Sequence, residues 1–252
     1  LQHLAAIVWL FAGHRRYSRR ELGLLGRPRG RPVKQLAKNH VIDSPRRALS
    51  GENRDMARTA QVTRNTKETS IDVSINLDGS GTASISTGIP FYDHMLEQLA
   101  RHGGFDLTIA AKGDLHIDTH HTVEDVAICV GEAIREALGD KAGVRRFASG
   151  LYPLDEALIE VSLDLSGRAF VAWNVELPEC LPLGNPAFDP SLAEHAVSSL
   201  ASAAAITLHV NLRAGRNVHH IIEATFKGLA RCLRDAVRIE SAGVPSTKGV
   251  LS

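Results

Sequence analysis

Three features that mark other protein classes are scarce in this sequence. The formal net charge is only +1 over 252 residues, so charge favours neither a nucleic-acid partner nor a membrane partner. The apolar patch at residues 4–12 is too short to span a bilayer. The three cysteines, Cys129, Cys180 and Cys232, show no C-x-x-C spacing. The cysteine spacing favours a reducing compartment and metal sites that do not use sulfur.

Residues 1–55 differ from the rest of the chain. They hold twelve Arg and Lys against four Asp and Glu, and they precede the first methionine, Met56. We interpret them as an upstream extension that is foreign to the folded protein; a disordered tail or a targeting segment is the alternative. The folded domain is predicted at 56–252. The overall content of 44% hydrophobic and 23% charged residues is ordinary for a globular protein.

A His-His-x-x-Glu pattern occurs twice, each time where an apolar helical run begins. The two copies are His120, His121 and Glu124, and His219, His220 and Glu223. Residues three or four apart share a helix face, whereas neighbours point about 100° apart. Each glutamate can therefore join one histidine at a metal ion, while the other histidine points toward a second ion. A single copy is equally well explained as a polar helix start, but two copies among only 12 histidines favour metal binding.

The two copies belong to a longer internal repeat. Residues 70–79 match 158–167, residues 93–96 match 194–197, and residues 105–109 match 206–210. The repeat halves span about 64–147 and 152–240, and they equate His94 with His195. Each half thus supplies three histidines and one glutamate. Eight nitrogen and oxygen ligands serve two ions with four protein ligands each, which leaves open positions for a substrate on a six-coordinate metal.

Hydrophobic periodicity predicts the elements of each half. Strands are predicted at 70–77, 83–87, 105–111, 115–117, 158–165, 169–175 and 206–212, helices at 92–102, 120–134, 191–204 and 219–238, and a loop at 178–191. The first two strands are expected to form a hairpin. The predicted fold class is α+β, with two tandem β-β-α-β-β-α-type halves packed as a sandwich and the helices between two sheets. If this packing keeps the two histidine clusters apart, the sites must form between subunits of an oligomer.

Several motifs resemble the imidazoleglycerol-phosphate dehydratase family over about residues 62–252. They are the blocks at 64–69, 90–96, 113–118, 120–125, 164–168, 219–224 and 245–249. The resemblance implies a hydro-lyase of L-histidine biosynthesis that converts D-erythro-1-(imidazol-4-yl)glycerol 3-phosphate to 3-(imidazol-4-yl)-2-oxopropyl phosphate and water. It also implies two Mn²⁺ per active site and a homo-oligomer of 24 subunits built from trimers, with active sites between subunits. Such an enzyme is expected in the cytoplasm, or in a plastid if 1–55 is a transit segment.

The resemblance further implies roles for individual residues. The eight residues of the repeat argument become ligands of two manganese ions, and Glu68 becomes the catalytic acid/base. Substrate contacts are implied for Gln98 and Lys227, and phosphate contacts for Arg146, Arg168, Ser246 and Lys248. Taken alone, the tail at 244–249 indicates a frayed C-terminus, but the resemblance makes it a phosphate-binding segment, where arginine and lysine suit phosphate oxygens.

The implied reaction explains why two cations are needed. The proton to be lost is not acidic because no carbonyl adjoins its carbon, so an electron sink is required. An imidazole ring held as an imidazolate, with a cation at each ring nitrogen, provides that sink. Mn, Fe, Co and Zn all suit the ligands, and six-coordination with several oxygens favours Mn. Glu68 is expected to move protons, provided that it is not itself a ligand.

Two other functions account for part of the pattern. A di-metal phosphatase would depend on bridging aspartates, and a metal-binding shell protein would need the metal ligands but not Glu68.

Some segments depart from the family: residues 195–205 lack aromatic bulk, which bears on local packing, and residues 148–152 and 176–190 are atypical. The histidines outside the repeated spacing, predicted to serve packing or surface hydrogen bonds, are His102, His116 and His209.

Overall fold

The computed structural model describes residues 57–251, and the prediction for residues 1–55 lies outside this range. The first half contains β1 (Thr59–Asn65), β2 (Thr69–Asn76), β3 (Ala83–Ser86), α1 (Pro90–Gly103), β4 (Asp106–Gly113) and α2 (His120–Leu138). The second half contains β5 (Phe147–Leu154), β6 (Ala157–Asp164), β7 (Phe170–Asn174), α3 (Leu192–Ala203), β8 (Thr207–Ala214) and α4 (Val218–Ala236). No helix within the described range is long and apolar enough to cross a membrane.

Each half forms a four-stranded sheet of the same topology. The strand orders are β1-β2-β4-β3 and β5-β6-β8-β7. The register repeats as well, because Thr59 faces Asn76 in the first half and Phe147 faces Asp164 in the second. The internal repeat seen in the sequence is therefore a structural repeat, and the predicted α+β two-repeat sandwich is confirmed.

The core lies between the two sheets. Ile71, Val73 and Ile75 of β2 are buried while the residues between them are exposed, and β6 buries alternate residues in the same way. This period of two gives each sheet one apolar face. α2 packs on β1 and β2 and also on α3 of the other half, while α4 packs on β5 and β6 and also on α1. The helices thus join the halves, and each fully buried aliphatic side chain stabilises the fold by about 1.5–3 kcal/mol.

The hairpin predicted between the strands at 70–77 and 83–87 is wrong. β3 pairs in parallel with β4 and not with β2. The intervening turn is tied to the start of β4, because Asp106 Oδ1 accepts hydrogen bonds from the backbone N–H groups of Ser80 (2.9 Å) and Thr82 (3.0 Å). A side-chain anchor of this kind competes with hairpin pairing and directs the chain to the far side of β4.

The strand predicted at 115–117 is also wrong. The chain makes a turn there, closed by a 2.8 Å hydrogen bond from the Ile117 N–H to the Asp114 carbonyl. The fourth strand of each sheet is instead its first edge strand, β1 or β5. Neither of these strands was predicted from the sequence. Only Val62 of β1 is buried, so the apolar alternation that reveals a strand is absent there.

The stretch at 195–205, which lacks aromatic bulk, forms most of α3 and packs through small side chains. Ala196, Val197 and Leu200 are buried against the core. On the facing helix, a Cβ atom added to Gly131 would lie only 2.3 Å from the Leu200 carbonyl oxygen. The missing bulk is therefore matched by a close approach of α2 and α3.

The loop predicted at 178–191 contains no helix or strand. Phe188 is buried, with its ring centroid 5.1 Å from that of Phe91. The Thr119 hydroxyl donates a 3.0 Å hydrogen bond to the Ala187 carbonyl. These contacts fix the loop beside the start of α2, where the first His-His-x-x-Glu motif lies.

Candidate active site

Both His-His-x-x-Glu motifs open helices, as predicted. α2 begins at His120, whose backbone N–H donates to Asp118 Oδ1 at 2.8 Å. α4 follows Asn217, whose side chain accepts from the backbone N–H of His220 at 3.3 Å. Such polar side chains satisfy backbone donors that a helix start leaves free. The histidines therefore project from the first turn of each helix.

The first cluster (His94, His219 and Glu223) joins α1 of one half to α4 of the other. Glu223 Oε2 lies 3.3 Å from His94 Nε2 and 3.0 Å from His219 Nε2. Lys227 Nζ lies 2.6 Å from the other carboxylate oxygen. Burial opposes ionisation of Glu223, but hydrogen bonds from Lys227 and His94 outweigh it and lower its pKa to about 2. Glu223 is thus a carboxylate at neutral pH.

The second cluster (His120, Glu124 and His195) is the repeat-related counterpart and joins α2 to α3. Glu124 Oε1 lies 3.4 Å from His195 Nε2, and Glu124 Oε2 lies 4.0 Å from His120 Nε2. The rings of His120 and His195 have centroids 4.5 Å apart. His195 Nε2 is buried and makes no hydrogen bond to the described residues. Because an unpartnered buried nitrogen is costly, this atom is well suited to bind a cation.

Both clusters fit a divalent cation. They offer imidazole nitrogens and carboxylate oxygens, which Mn, Fe, Co and Zn all accept. Opposite ligands at bond lengths of about 2.1 Å lie about 4.2 Å apart, and the ligand atoms of each cluster lie within 4.8 Å of one another. Each cluster brings together three of the predicted ligands, one fewer than the expected four, because His121 and His220 lie outside both clusters.

His121 and His220 point instead toward carboxylates. His121 Nδ1 lies 3.0 Å from Asp114 Oδ2, and this hydrogen bond raises the pKa of His121. His220 Nδ1 lies 2.7 Å from Glu156 Oε2, and this hydrogen bond raises the pKa of His220. The sequence prediction did not include Asp114 or Glu156. The signal for Glu156 was available, since the repeat aligns it with Glu68.

Glu68 lies in a cavity of about 190 Å³. The cavity is lined by Arg64, Thr66, Glu68, His121, Glu124, Asp125 and Ile128. The Glu68 backbone N–H donates to Thr66 Oγ1 (3.1 Å), which orients the residue, while its Oε2 lies 3.9 Å from His121 Nδ1. Within the described residues its carboxylate belongs to neither cluster. A carboxylate that is free of ligand contacts can accept or deliver a proton.

The four residues predicted to bind phosphate line one open cavity of about 630 Å³. Its walls are Arg146, Arg168, Pro245, Ser246, Thr247, Lys248, Val250 and Leu251. Arg146, at φ +77°, pairs through Nε and Nη2 with the two carboxylate oxygens of Asp164 (2.7 and 3.0 Å) and donates from Nη1 to the Pro245 carbonyl (2.8 Å). Arg146 therefore anchors the tail. The Arg168 and Lys248 side chains form no ion pair with residues 57–251 and can meet an anion.

The two predicted substrate contacts lie beside the first cluster. The Gln98 amide nitrogen is 3.3 Å from the His94 carbonyl oxygen, and Lys227 lies one turn after Glu223. The histidines predicted to be structural lie outside both clusters; they are His102, His116 and His209.

Known proteins resemble this chain in sequence and in fold. A family model described as imidazoleglycerol-phosphate dehydratase matches residues 87–233. The imidazoleglycerol-phosphate dehydratase of Parafrankia sp. (strain EAN1pec) is 56% identical over 198 residues, which cover 78% of this chain and 100% of the relative. The chloroplastic enzyme of Pisum sativum is 54% identical over 198 residues, which cover 77% of this chain and 69% of the relative. The crystal structure of the Pyrococcus furiosus enzyme in complex with (S)-C348 matches with a TM-score of 0.64 and 39% identity, covering 75% of this chain and 100% of that chain. The chain belongs to the imidazoleglycerol-phosphate dehydratase family.

Proposed function

We propose that the protein is a two-manganese dehydratase that converts D-erythro-1-(imidazol-4-yl)glycerol 3-phosphate to 3-(imidazol-4-yl)-2-oxopropyl phosphate and water. Family membership makes it a hydro-lyase of histidine biosynthesis; the metal, the mechanism and the assembly are the proposed parts. One observation carries the proposal. Residues 57–251 hold two equivalent clusters of imidazole and carboxylate ligands, each with three protein ligands. A six-coordinate ion at such a cluster keeps positions for substrate.

The proton transfer falls to Glu68. Bound Mn²⁺ would supply positive charge to the imidazole ring of the substrate, which must act as the electron sink. Glu68 takes the proton from carbon and passes it to the hydroxyl of the neighbouring carbon, which leaves as water. The enol that remains becomes the ketone when its O–H proton moves to carbon. The cavity that Glu68 shares with His121 and Glu124 supports this role, because it sets a free carboxylate beside metal-ligand side chains.

The phosphate end of the substrate is assigned to the cavity formed by the C-terminal tail. Arg168 and Lys248 supply positive charge there, and Ser246 supplies a hydroxyl donor. Arg146 contributes by holding the tail through its bond to Pro245. These residues are suited to bind the phosphate group of the substrate, which takes no part in the bond changes.

The active site is proposed to form between subunits of a 24-subunit shell built from trimers. His121 and His220 lie outside the two clusters of their own chain, although each sits next to a ligand in sequence. A histidine of this kind can complete a cluster on another copy and raise its ligand count from three to four. We also keep the cytoplasm as the proposed location, with a plastid as the location if residues 1–55 are a transit segment.

Replacing one carboxylate tests the mechanism. Glu68→Gln should retain two Mn²⁺ per chain by elemental analysis while turnover falls by about 10²- to 10⁴-fold, because the proton acceptor is lost. The matched control is Glu136→Gln, an exposed residue near the end of α2, which should leave turnover unchanged. Unchanged turnover in Glu68→Gln would remove Glu68 from the mechanism.

The same assay separates the two alternative functions. Keto product and inorganic phosphate are both quantified after incubation of the Mn²⁺-loaded protein with substrate. A dehydratase forms keto product and releases no phosphate, whereas a di-metal phosphatase releases phosphate. A metal-binding shell protein without activity forms neither product.

A further inference from the structure

Glu68 and Glu156 occupy the same place in the two halves of the fold. Glu68 immediately precedes β2, and Glu156 immediately precedes β6. The pairing of β1 with β2 and of β5 with β6 has the same register, so the two glutamates are structural equivalents. The contacts of the two carboxylates nevertheless differ.

Both carboxylate oxygens of Glu156 are engaged. Oε2 accepts from His220 Nδ1 at 2.7 Å, and Oε1 accepts from the backbone N–H groups of Asn217 (2.8 Å) and Arg216 (3.3 Å). The carboxylate thus ties the histidine to the turn before α4. The other ring nitrogen, Nε2, lies 3.9 Å from the exposed carboxylate of Asp155, which is too far for a hydrogen bond.

In the first half, a different residue accepts the hydrogen bond from the histidine Nδ1. His121 Nδ1 lies 3.0 Å from Oδ2 of Asp114, which is largely buried, and 3.9 Å from Glu68. The corresponding turn of the second half, at residues 213–217, contains no carboxylate. In the first half, Asp114 therefore has the role that Glu156 has in the second half. Glu68, the structural equivalent of Glu156, is free of this contact.

We infer that Glu156 and Asp114 are positioning residues that hold the Nδ1 proton of His220 and of His121, so that each Nε2 presents a lone pair to a divalent cation. This inference rests on the proposed metal-dependent function. An ionised carboxylate only accepts hydrogen bonds, so the proton must lie on Nδ1. Both histidine rings are partly exposed, which leaves Nε2 within reach of a cation bound at another surface. A partner of this kind fixes both the tautomer and the ring orientation of a metal-binding histidine.

Glutamine at position 156 should reverse the tautomer. Two backbone N–H groups face one oxygen of the native carboxylate, so the glutamine oxygen turns toward them. Its NH₂ group then faces His220 Nδ1 and can only donate, which forces the ring proton onto Nε2. Metal affinity at the ion served by His220 should fall by about 10- to 100-fold, as is usual when such a partner is removed.

The test is Mn²⁺ titration of the full chain, with free Mn²⁺ followed by its electron paramagnetic resonance signal. The variants are Glu156→Gln, Asp114→Ala, which leaves His121 Nδ1 without its acceptor, and the double variant. The control is Glu160→Gln, which carries the same substitution on β6, where Glu160 pairs with Arg213 and Asn211. The titration should resolve two classes of Mn²⁺ site. Each single variant should weaken Mn²⁺ binding at one class and leave the other unchanged. The double variant should weaken both, and the control should match the wild type. Saturating Mn²⁺ should restore turnover in the single variants, which a general loss of structure would not allow.

Wild-type affinity at both classes in Glu156→Gln or in Asp114→Ala would overturn the inference for the histidine concerned, as would an equal loss at both classes in either variant. If the wild-type chain binds no Mn²⁺, the proposed metal-dependent function fails first, so the two failures are distinct. Thermal unfolding of the metal-free variants checks the fold. Should Glu156→Gln not fold, Asp114→Ala decides the question, because it removes the acceptor from His121 Nδ1.

Discussion

The close contact between α2 and α3 makes Gly131 a residue where a single added methyl group should destabilise the fold. Its added Cβ would lie 2.3 Å from the Leu200 carbonyl oxygen, which is 0.7 Å closer than the 3.0 Å that real Cβ atoms respect. It would also lie 2.8 Å from the Ala203 Cβ and 3.0 Å from the Ala204 nitrogen. Because two of these atoms belong to the backbone, no side-chain rotation relieves the clash, and the two helices must separate.

The magnitude follows from two opposing effects. Alanine gains about 1 kcal/mol over glycine inside a helix. Overpacking a closely packed interface costs about 1–3 kcal/mol, and a backbone clash belongs at the upper end of that range. Gly131→Ala should therefore destabilise the protein by about 1–2 kcal/mol, which lowers the melting temperature by roughly 2–8 °C for a domain of this size.

Gly228 provides the matched control, because it lies inside α4, a helix of the same 19-residue length as α2. Its added Cβ would meet only side-chain atoms, Cδ2 of Tyr152 and Cγ2 of Val161, both at 2.8 Å. Because these contacts involve side chains and no backbone atom, Gly228→Ala should destabilise the protein less than Gly131→Ala. Urea denaturation and calorimetry of the metal-free chains measure both variants. A Gly131→Ala variant as stable as the wild type would refute the close-packing argument.

Two further predictions concern titrating groups. The hydrogen bonds from Arg58 to Asp78 lower the pKa of this carboxyl below its ordinary value. They therefore stabilise the fold at pH values above the ordinary pKa, and the contribution is lost as the pH falls through the lower, folded pKa. Asp78→Asn should cost about 1 kcal/mol or less at pH 7, because the pair is partly exposed, and urea denaturation near pH 3 should show a smaller difference from wild type. Burial raises the thiol pKa of Cys129 and of Cys232 to about 11, whereas Cys180 is exposed. A thiol reagent at pH 8 should therefore label one thiol per native chain quickly and the other two only after denaturation; rapid labelling of all three would contradict the buried positions.

Much of the site could be predicted from the sequence because its signals are local. The spacing of two adjacent histidines and a glutamate, combined with the helical period, determines which side chains share a face of one helix. The helix starts at His120 and near His219 follow from the same pattern together with Asn217, a residue type that caps helices. The role of Glu156 escaped prediction, since its three hydrogen-bond partners lie in the turn before α4 and in the first turn of α4, about 60 residues away.

The sequence by itself determined the repeat, the kinds of ligand, and the helices that carry them, because these depend on residue identity and short-range periodicity. Only the tertiary structure decided which ligands meet. His94 joins His219 and Glu223 because α1 packs on α4 of the other half, and no spacing along the chain contains that contact. The parallel pairing of β3 with β4 was decided in the same way, by the Asp106 side chain that ties a distant turn to the start of β4. Contacts between residues far apart in sequence depend on how whole layers pack, and packing is a property of the assembled fold.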